Sequence, residues 1–375
     1  MGWALIVHRG VLEPKLQRGD TMACAWHMLD EQARGIGAFI LHDRAALADR
    51  IATNTTLFCR FVDFASGNAA MVRLDFCVEL EYEVMQASNF EFIVHAAQTS
   101  QQHVVRERFE VWPRIQAIVE TSPLSTNRHT RLCVEPGPLR VRYSAVVDIE
   151  HHFAQPAELH ESPIAEMPLE ALHYLRPSRY CPSDRFYQIA MDEFHRLAPG
   201  YRRVEAIADW VRNRTRFQPG TTNSLHCAMD TYVNQVGVCR DFAHLMISLC
   251  RALNIPARYA TGIDYGADPA LGPMDFHAYV EVYLFGRWYI FDPTGIALTT
   301  GLIRLATGRD ASDVPFATIF GAARWSMPRI TMIALEDAAA GIALPAPTAL
   351  AVSSSAPSHE GHTRLEECVP LAATV

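Results

Sequence analysis

Gly237-Val238-Cys239-Arg240-Asp241-Phe242-Ala243-His244 reads as the opening of a helix that carries a cysteine in its first turn. Phe242, Leu245, Met246, Leu249 and Leu253 recur at spacings of three and four, the mark of one buried helical face. Asn254-Ile255-Pro256 ends the run, and Ala257–Ile263 reads as a strand. Downstream, His277–Leu284 and Trp288–Asp292 read as two more strands around a turn at Phe285-Gly286-Arg287. A cysteine helix is therefore followed, in chain order, by a histidine strand and an aspartate strand.

Chemistry gives that order a meaning. A thiol attacks as thiolate, and a free pKa near 8.5 leaves only a few per cent ionised at neutral pH. The first turn of a helix supplies partial positive charge. Gly237 permits a sharp turn into the helix, and Arg240 adds a positive charge that Asp241 opposes. His277 shares a strand face with Tyr279, Glu281 and Tyr283, opposite the apolar Ala278, Val280, Val282 and Leu284. With a two-residue turn at Phe285-Gly286, Asp292 falls opposite Tyr279, diagonal to His277 on the same face. A three-residue loop would reverse that face unless a bulge restored it. Cys239 thus reads as nucleophile, His277 as its base and Asp292 as the group orienting the base. The backbone N–H of Cys239 points toward a developing oxyanion, with Gln235 available as a second donor.

Other polar residues read structurally. Cys250 lies eleven positions past Cys239, about 16 Å along a helix, too far for a disulfide. His244 reads as a packed helix histidine, and Arg179 and Tyr180 as structural contacts. His151-His152 and His226-Cys227 lack metal-ligand spacing, so no metal or other cofactor is expected.

Away from this region, Leu74, Phe76, Val78, Leu80, Tyr82 and Val84 alternate with polar residues. Strand-like runs follow at Phe90–Ala96, Val104–Val111, Thr130–Val134 and Leu139–Ile149, predicting a small antiparallel β domain over 71–158. Residues 1–70 read as a poorly ordered extension with a helix near Ala23–Ile36. Prolines 156, 163 and 168 mark a linker into a core over 159–335. Pro182-Ser183 offers a cap for a helix reaching about Leu197, and Val204, Ile207, Ala208 and Val211 outline a second. The Ala-, Pro- and Ser-rich stretch 336–375 reads as a disordered tail.

Composition narrows the partners. The 375 residues are 49% hydrophobic with a net charge of −8, which argues against nucleic acid. No apolar run approaches the ~20 residues of a membrane span, and the N-terminal apolar run breaks too early for a secretory signal. Nine cysteines without a Cys-x-x-Cys pair suit reduced thiols in the cytoplasm. Lys15 is the lone lysine, a bias best attributed to codon usage.

Taken together, Ser178-Arg179-Tyr180-Cys181, Gly237 to His244, Ile255-Pro256-Ala257-Arg258-Tyr259, Phe276 to Glu281 and Trp288–Pro293 resemble the transglutaminase-like superfamily. The similarity is to its bacterial members with an N-terminal β domain and lies within 160–335, with a fainter likeness over 71–158. It implies an α+β fold with a papain-like core, Cys239, His277 and Asp292 as the triad, and acyl-enzyme chemistry on peptide or glutamine amides without a metal. A peptide or protein substrate is then the expected partner. Tyr279 departs from the tryptophan many relatives carry, which bears on cleft shape. The alternative is a non-enzymatic module that retains the fold and holds a peptide in the cleft.

Overall fold

The computed structural model describes residues 5–7, 71–123, 125–267 and 273–357. The chain begins with a three-residue strand, β1 (Leu5–Val7), and then, from residue 71, a run of antiparallel strands: β2 (Met71–Val84), β3 (Ser88–Phe92), β4 (Gln102–Trp112), β5 (Ile118–Thr121), β6 (Arg128–Val134), β7 (Gly137–Ile149) and β8 (His152–Ala154). Alternation decides which way β2 and β7 face. Leu74, Phe76, Val78 and Leu80 of β2, with Val141, Tyr143 and Val147 of β7, are buried in one core, while their neighbours carry ion pairs such as Arg73 with Asp148 (2.6 Å). Strand β5, Ile118-Val119-Glu120-Thr121, lies at a sheet edge, exposed throughout, and has no alternation to betray it.

After a single helical turn at Leu169–Leu172, the described residues form four longer helices: α1 (Tyr187–Phe194), α2 (Tyr201–Arg214), α3 (Ala228–Asn234) and α4 (Cys239–Ala252). A strand pair, β9 (Arg216–Phe217) and β10 (Val236–Gly237), leads into α4. Ser183 does not cap α1; it is buried in a 3-10 turn that precedes the helix. Helix α4 packs Phe242, Leu245, Met246 and Leu249 into a core with Ala278, Val280 and Val282. Asn254, in the left-handed region, ends it, and the Ile255 N–H bonds the Cys250 carbonyl at 3.0 Å. A four-stranded sheet then forms from β11 (Ala257–Asp264), β12 (Phe276–Leu284), β13 (Arg287–Phe291) and β14 (Leu302–Gly308), in the order β13-β12-β11-β14.

The remaining strands are β15 (Ala317–Phe320), β16 (Ala323–Trp325), β17 (Arg329–Leu335), β18 (Ile342–Ala343) and β19 (Ala351–Ser353). They return to the first half of the chain. Strand β15 pairs with β3 and with β1, whereas β16, β17 and β18 pair with β2. The β domain is therefore not confined to 71–158; its two sheets are completed by residues 317–343. The disordered tail expected from 336 is also corrected over 336–357. There β19 pairs with β8, Val352 packs against Tyr279, Ile290 and Leu302, and Ser353, Ser354 and Ser355 are buried. Composition misled because those serines are held by hydrogen bonds. Thr99 Oγ1 donates to the Ser354 carbonyl at 3.3 Å, and Arg304 Nη1 donates to Ser355 Oγ at 2.9 Å. The extension expected over 1–70, apart from β1, lies outside the described residues, as do the helix near Ala23–Ile36 and positions 358–375.

Candidate active site

Cys239 is the first residue of α4. What fixes the start of this helix is the Asp241 carboxylate, whose Oδ2 accepts from the Val238 N–H at 2.9 Å and from Thr222 Oγ1 at 2.7 Å. A Cβ on Gly237 would stand 2.7 Å from Asp241 Cβ and 3.0 Å from Oδ2. Glycine is needed there for that close approach. The Arg240 guanidinium donates to Asp241 Oδ1 at 2.9 Å and to the Asn223 carbonyl at 3.0 Å, both side chains being buried. The opposition of Asp241 to the Arg240 charge, expected from the sequence, is realised, and Arg240 also ties the 222–223 loop to the helix.

The two-residue turn is realised. Leu284 pairs with Arg287, and Phe285 and Gly286 both have positive φ, 46° and 79°, as a type I′ turn requires. That register carries Asp292 to the His277 face. His277 Nε2 stands 3.4 Å from Asp292 Oδ1, close for an ion pair but long for an aligned hydrogen bond, and no other side chain takes that nitrogen. The other ring nitrogen is left for the sulfur. Burial alone would lower the His277 pKa. The Asp292 carboxylate and a hydrogen bond with Cys239 override it and hold the imidazole well above 6.5. A cysteine–histidine–aspartate series is thereby assembled, each member only 5–6% exposed.

Asp292 is held by more than the sequence revealed. Its Oδ2 accepts from the N–H groups of Ile296 (3.0 Å) and Ala297 (2.8 Å); its Oδ1 accepts from the Thr294 N–H (2.9 Å) and hydroxyl (2.7 Å). Burial would raise its pKa, but His277, the Ala297 N–H and Thr294 bring it down to about 2. Gly295, at φ +69°, accommodates Arg212: a Cβ would lie 2.7 Å from Arg212 Nε. Arg212 Nη2 in turn bonds the Asp292 carbonyl at 3.1 Å. The signal missed in the sequence was Asp292-Pro293-Thr294-Gly295, a turn that folds back on its own aspartate.

The other singled-out residues take bland places. Tyr180 stacks on His244 with centroids 5.1 Å apart, and its N–H bonds Asp310 Oδ2 at 2.8 Å. His244 Nε2 accepts from the Ala311 N–H at 3.1 Å, and burial pushes its pKa down to about 4. Cys250 is fully buried and its thiol pKa is pushed up by desolvation. Gln235 is exposed in a left-handed conformation at the end of α3. Tyr279 is fully buried beside Ala260, Ile290, Leu302 and Val352, so its difference from tryptophan alters core packing beneath the site rather than the open cleft. His151 is buried with neither ring nitrogen hydrogen-bonded. Among the described residues no three His, Cys, Asp or Glu side chains gather to hold a metal ion.

A cysteine at a helix start, a histidine beside it and an aspartate behind the histidine, on this helix-and-sheet frame, define a papain-like α+β fold. Residues 191–293 match the transglutaminase-like superfamily, and residues 73–170 match the bacterial transglutaminase N-terminal domain. A crystal structure of a candidate cysteine protease from Cytophaga hutchinsonii shares 36% identity and a TM-score of 0.71, covering 76% of this chain and 97% of that one. An uncharacterized protein of Mycobacterium leprae is 30% identical over 145 residues, 37% of this chain and 52% of that protein, so the chain spans about half the length of that curated relative. The chain belongs to the transglutaminase-like superfamily.

Proposed function

We propose that this protein is a cysteine hydrolase or acyltransferase that attacks peptide or glutamine amides with Cys239, using His277 and Asp292. The observation that carries the reading is His277, set between the Cys239 thiol and an Asp292 carboxylate already saturated by Thr294, Ile296 and Ala297. His277 takes the thiol proton, and the thiolate attacks the amide carbonyl. The Cys239 N–H, among the first N–H groups of α4 that have no intrahelical partner, faces the oxyanion. The imidazolium then gives its proton to the leaving amine, and a thioester remains. Water, deprotonated by His277, releases the acid; an amine in its place would give a new amide. The likeness to a candidate cysteine protease supports water. The chemistry needs no metal, and the six free cysteines of the described residues suit a reducing cytoplasm.

The test is the pH dependence of iodoacetamide alkylation at Cys239, resolved by mass spectrometry from the other cysteines, with p-nitrophenyl acetate used to trap an acetyl thioester. Fast labelling well below pH 8 and an acetyl group on Cys239 are expected. Labelling no faster than an ordinary thiol, with no thioester, would sink the proposal and leave a peptide-binding module.

A further inference from the structure

Asp264 is the last residue of β11. In the β11–β12 register Gly262 lies opposite His277 and Ile263 opposite Phe276. The alternation of strand faces thus puts Asp264 on the His277 face, one diagonal step away. Asp292 reaches the same imidazole from β13, on the other side of β12. Two carboxyl groups therefore flank one histidine from neighbouring strands, and they are built differently. Asp292 is filled by a hydroxyl and three backbone N–H groups.

Asp264 lacks that fourfold cradle, although its own backbone N–H bonds its carboxylate. Other buried acids are matched either by arginine, as Asp241 with Arg240 and Glu281 with both Arg258 and Arg304, or by hydrogen-bond donors, as Asp310 with the Tyr180 and Ser312 N–H groups and the Ser312 hydroxyl. The charges acting on Asp264 are those of His277, which favours its ionisation, and Asp292, which opposes it; burial is the larger influence and raises its pKa. It is 5% exposed, as accessible as His277 at 5% and Cys239 at 6%. A buried carboxylate that must share its neighbouring cation, His277, with a second carboxylate, Asp292, is incompletely compensated.

We infer that Asp264 is a specificity-determining residue that selects substrates bearing a cationic nitrogen, an ammonium or guanidinium group, next to the reacting amide or on the attacking amine. The inference rests on Cys239 being the nucleophile. Its charge attracts the cation, while the neutral carbonyl is left to Cys239 and the Cys239 N–H.

Two arms separate the sources. In the first, Cys239 is alkylated in parallel by cationic 2-bromoethylamine, neutral iodoacetamide and anionic iodoacetate, and each rate is divided by that of free cysteine. The cationic reagent should be favoured over the anionic one by about tenfold at low salt, and Asp264→Asn should remove most of that preference. In the second, breakdown of the acetyl thioester is followed with ethylenediamine, cationic at neutral pH, against hydroxylamine; a preference lost in Asp264→Asn assigns the cation to the acceptor. Asp264→Ser repeats both arms in case the asparagine folds poorly, with circular dichroism as the check. If Cys239 is activated yet neither ratio moves in either variant, the inference is overturned. If wild-type Cys239 reacts as an ordinary thiol toward every reagent, the proposed function fails, and this inference with it.

Discussion

The two ends of helix α4 carry one cysteine each, and they have opposite fates. At its start, Cys239 meets His277 and the N–H groups of the first turn. Near its end, Cys250 is sealed in the core, beside Arg251, whose guanidinium bonds the carbonyls of Ala257 (2.9 Å), Arg176 (3.1 Å) and Arg309 (2.6 Å). One end is arranged around a charge that can change hands. The other uses its charge to tie four chain segments together, because a guanidinium has five donors in a fixed fork. Residue type alone does not separate the two cysteines; their neighbours do.

The sharpest way to break this contrast is to measure both thiols in one experiment. In the folded protein Cys250 should alkylate at least about a thousandfold more slowly than Cys239, since it must await opening of the core. Comparable rates would contradict the burial of Cys250. Next, His277→Ala should slow Cys239 alkylation near pH 6.5 about a hundredfold, as the thiolate fraction returns to that of a free thiol. A rate within a factor of three of wild type would remove the imidazole from the account.

Gly237→Ala tests how the helix start is built. The added Cβ collides with Asp241, so the Val238 cap and the Thr222 bond must shift; a loss of about 2–3 kcal/mol is expected in urea unfolding. Asp292→Asn should remove about 2 kcal/mol at pH 7. The sign follows from a folded pKa of about 2 below the unfolded value of 3.8. That stability is present above pH 4 and is lost as pH falls toward 2, so the variant should be flat across a window where wild type weakens. A parallel fall in both proteins would argue that the carboxylate contributes nothing.

The smallest effect concerns His244, in the middle of the same helix. Its folded pKa near 4 lies below the unfolded 6.5, so its contribution is present above pH 6.5 and lost as pH falls to about 4. His244→Phe keeps a ring against Tyr180 but strips the Ala311 N–H of its acceptor, lowering stability by about 1 kcal/mol at pH 7. It should then lose less than wild type on acidification to pH 4.5, as read by thermal melting.

Much of the site was legible because its residues obey local rules. Helix period placed Cys239, strand alternation placed His277, and a two-residue turn carried Asp292 to the same face. The opposition of Arg240 and Asp241 was legible, but their burial was not, because the loop at Thr222 and Asn223 that closes over them is distant in sequence. Asp264 gave no signal at all, since its meaning comes from the neighbouring strand. The closing strands β15 to β19 were missed for a related reason. Each has seven residues or fewer, and what buries them is sequence more than 150 residues away.

That last pairing has a consequence for how the chain is made. Strand β2, at residues 71–84, is aligned residue for residue with β17 at 329–335 and takes β18 alongside. On a ribosome, β2 emerges long before those partners. One edge of a long apolar-faced strand thus waits, unpaired, while the whole helical core is synthesised between them. Such edges are the ones that pair wrongly, and closures of this span are slow. The last strands therefore act as a latch on β2, and a chain released at about residue 310 would hold every candidate active-site residue while leaving one edge of the separate β2 sheet open.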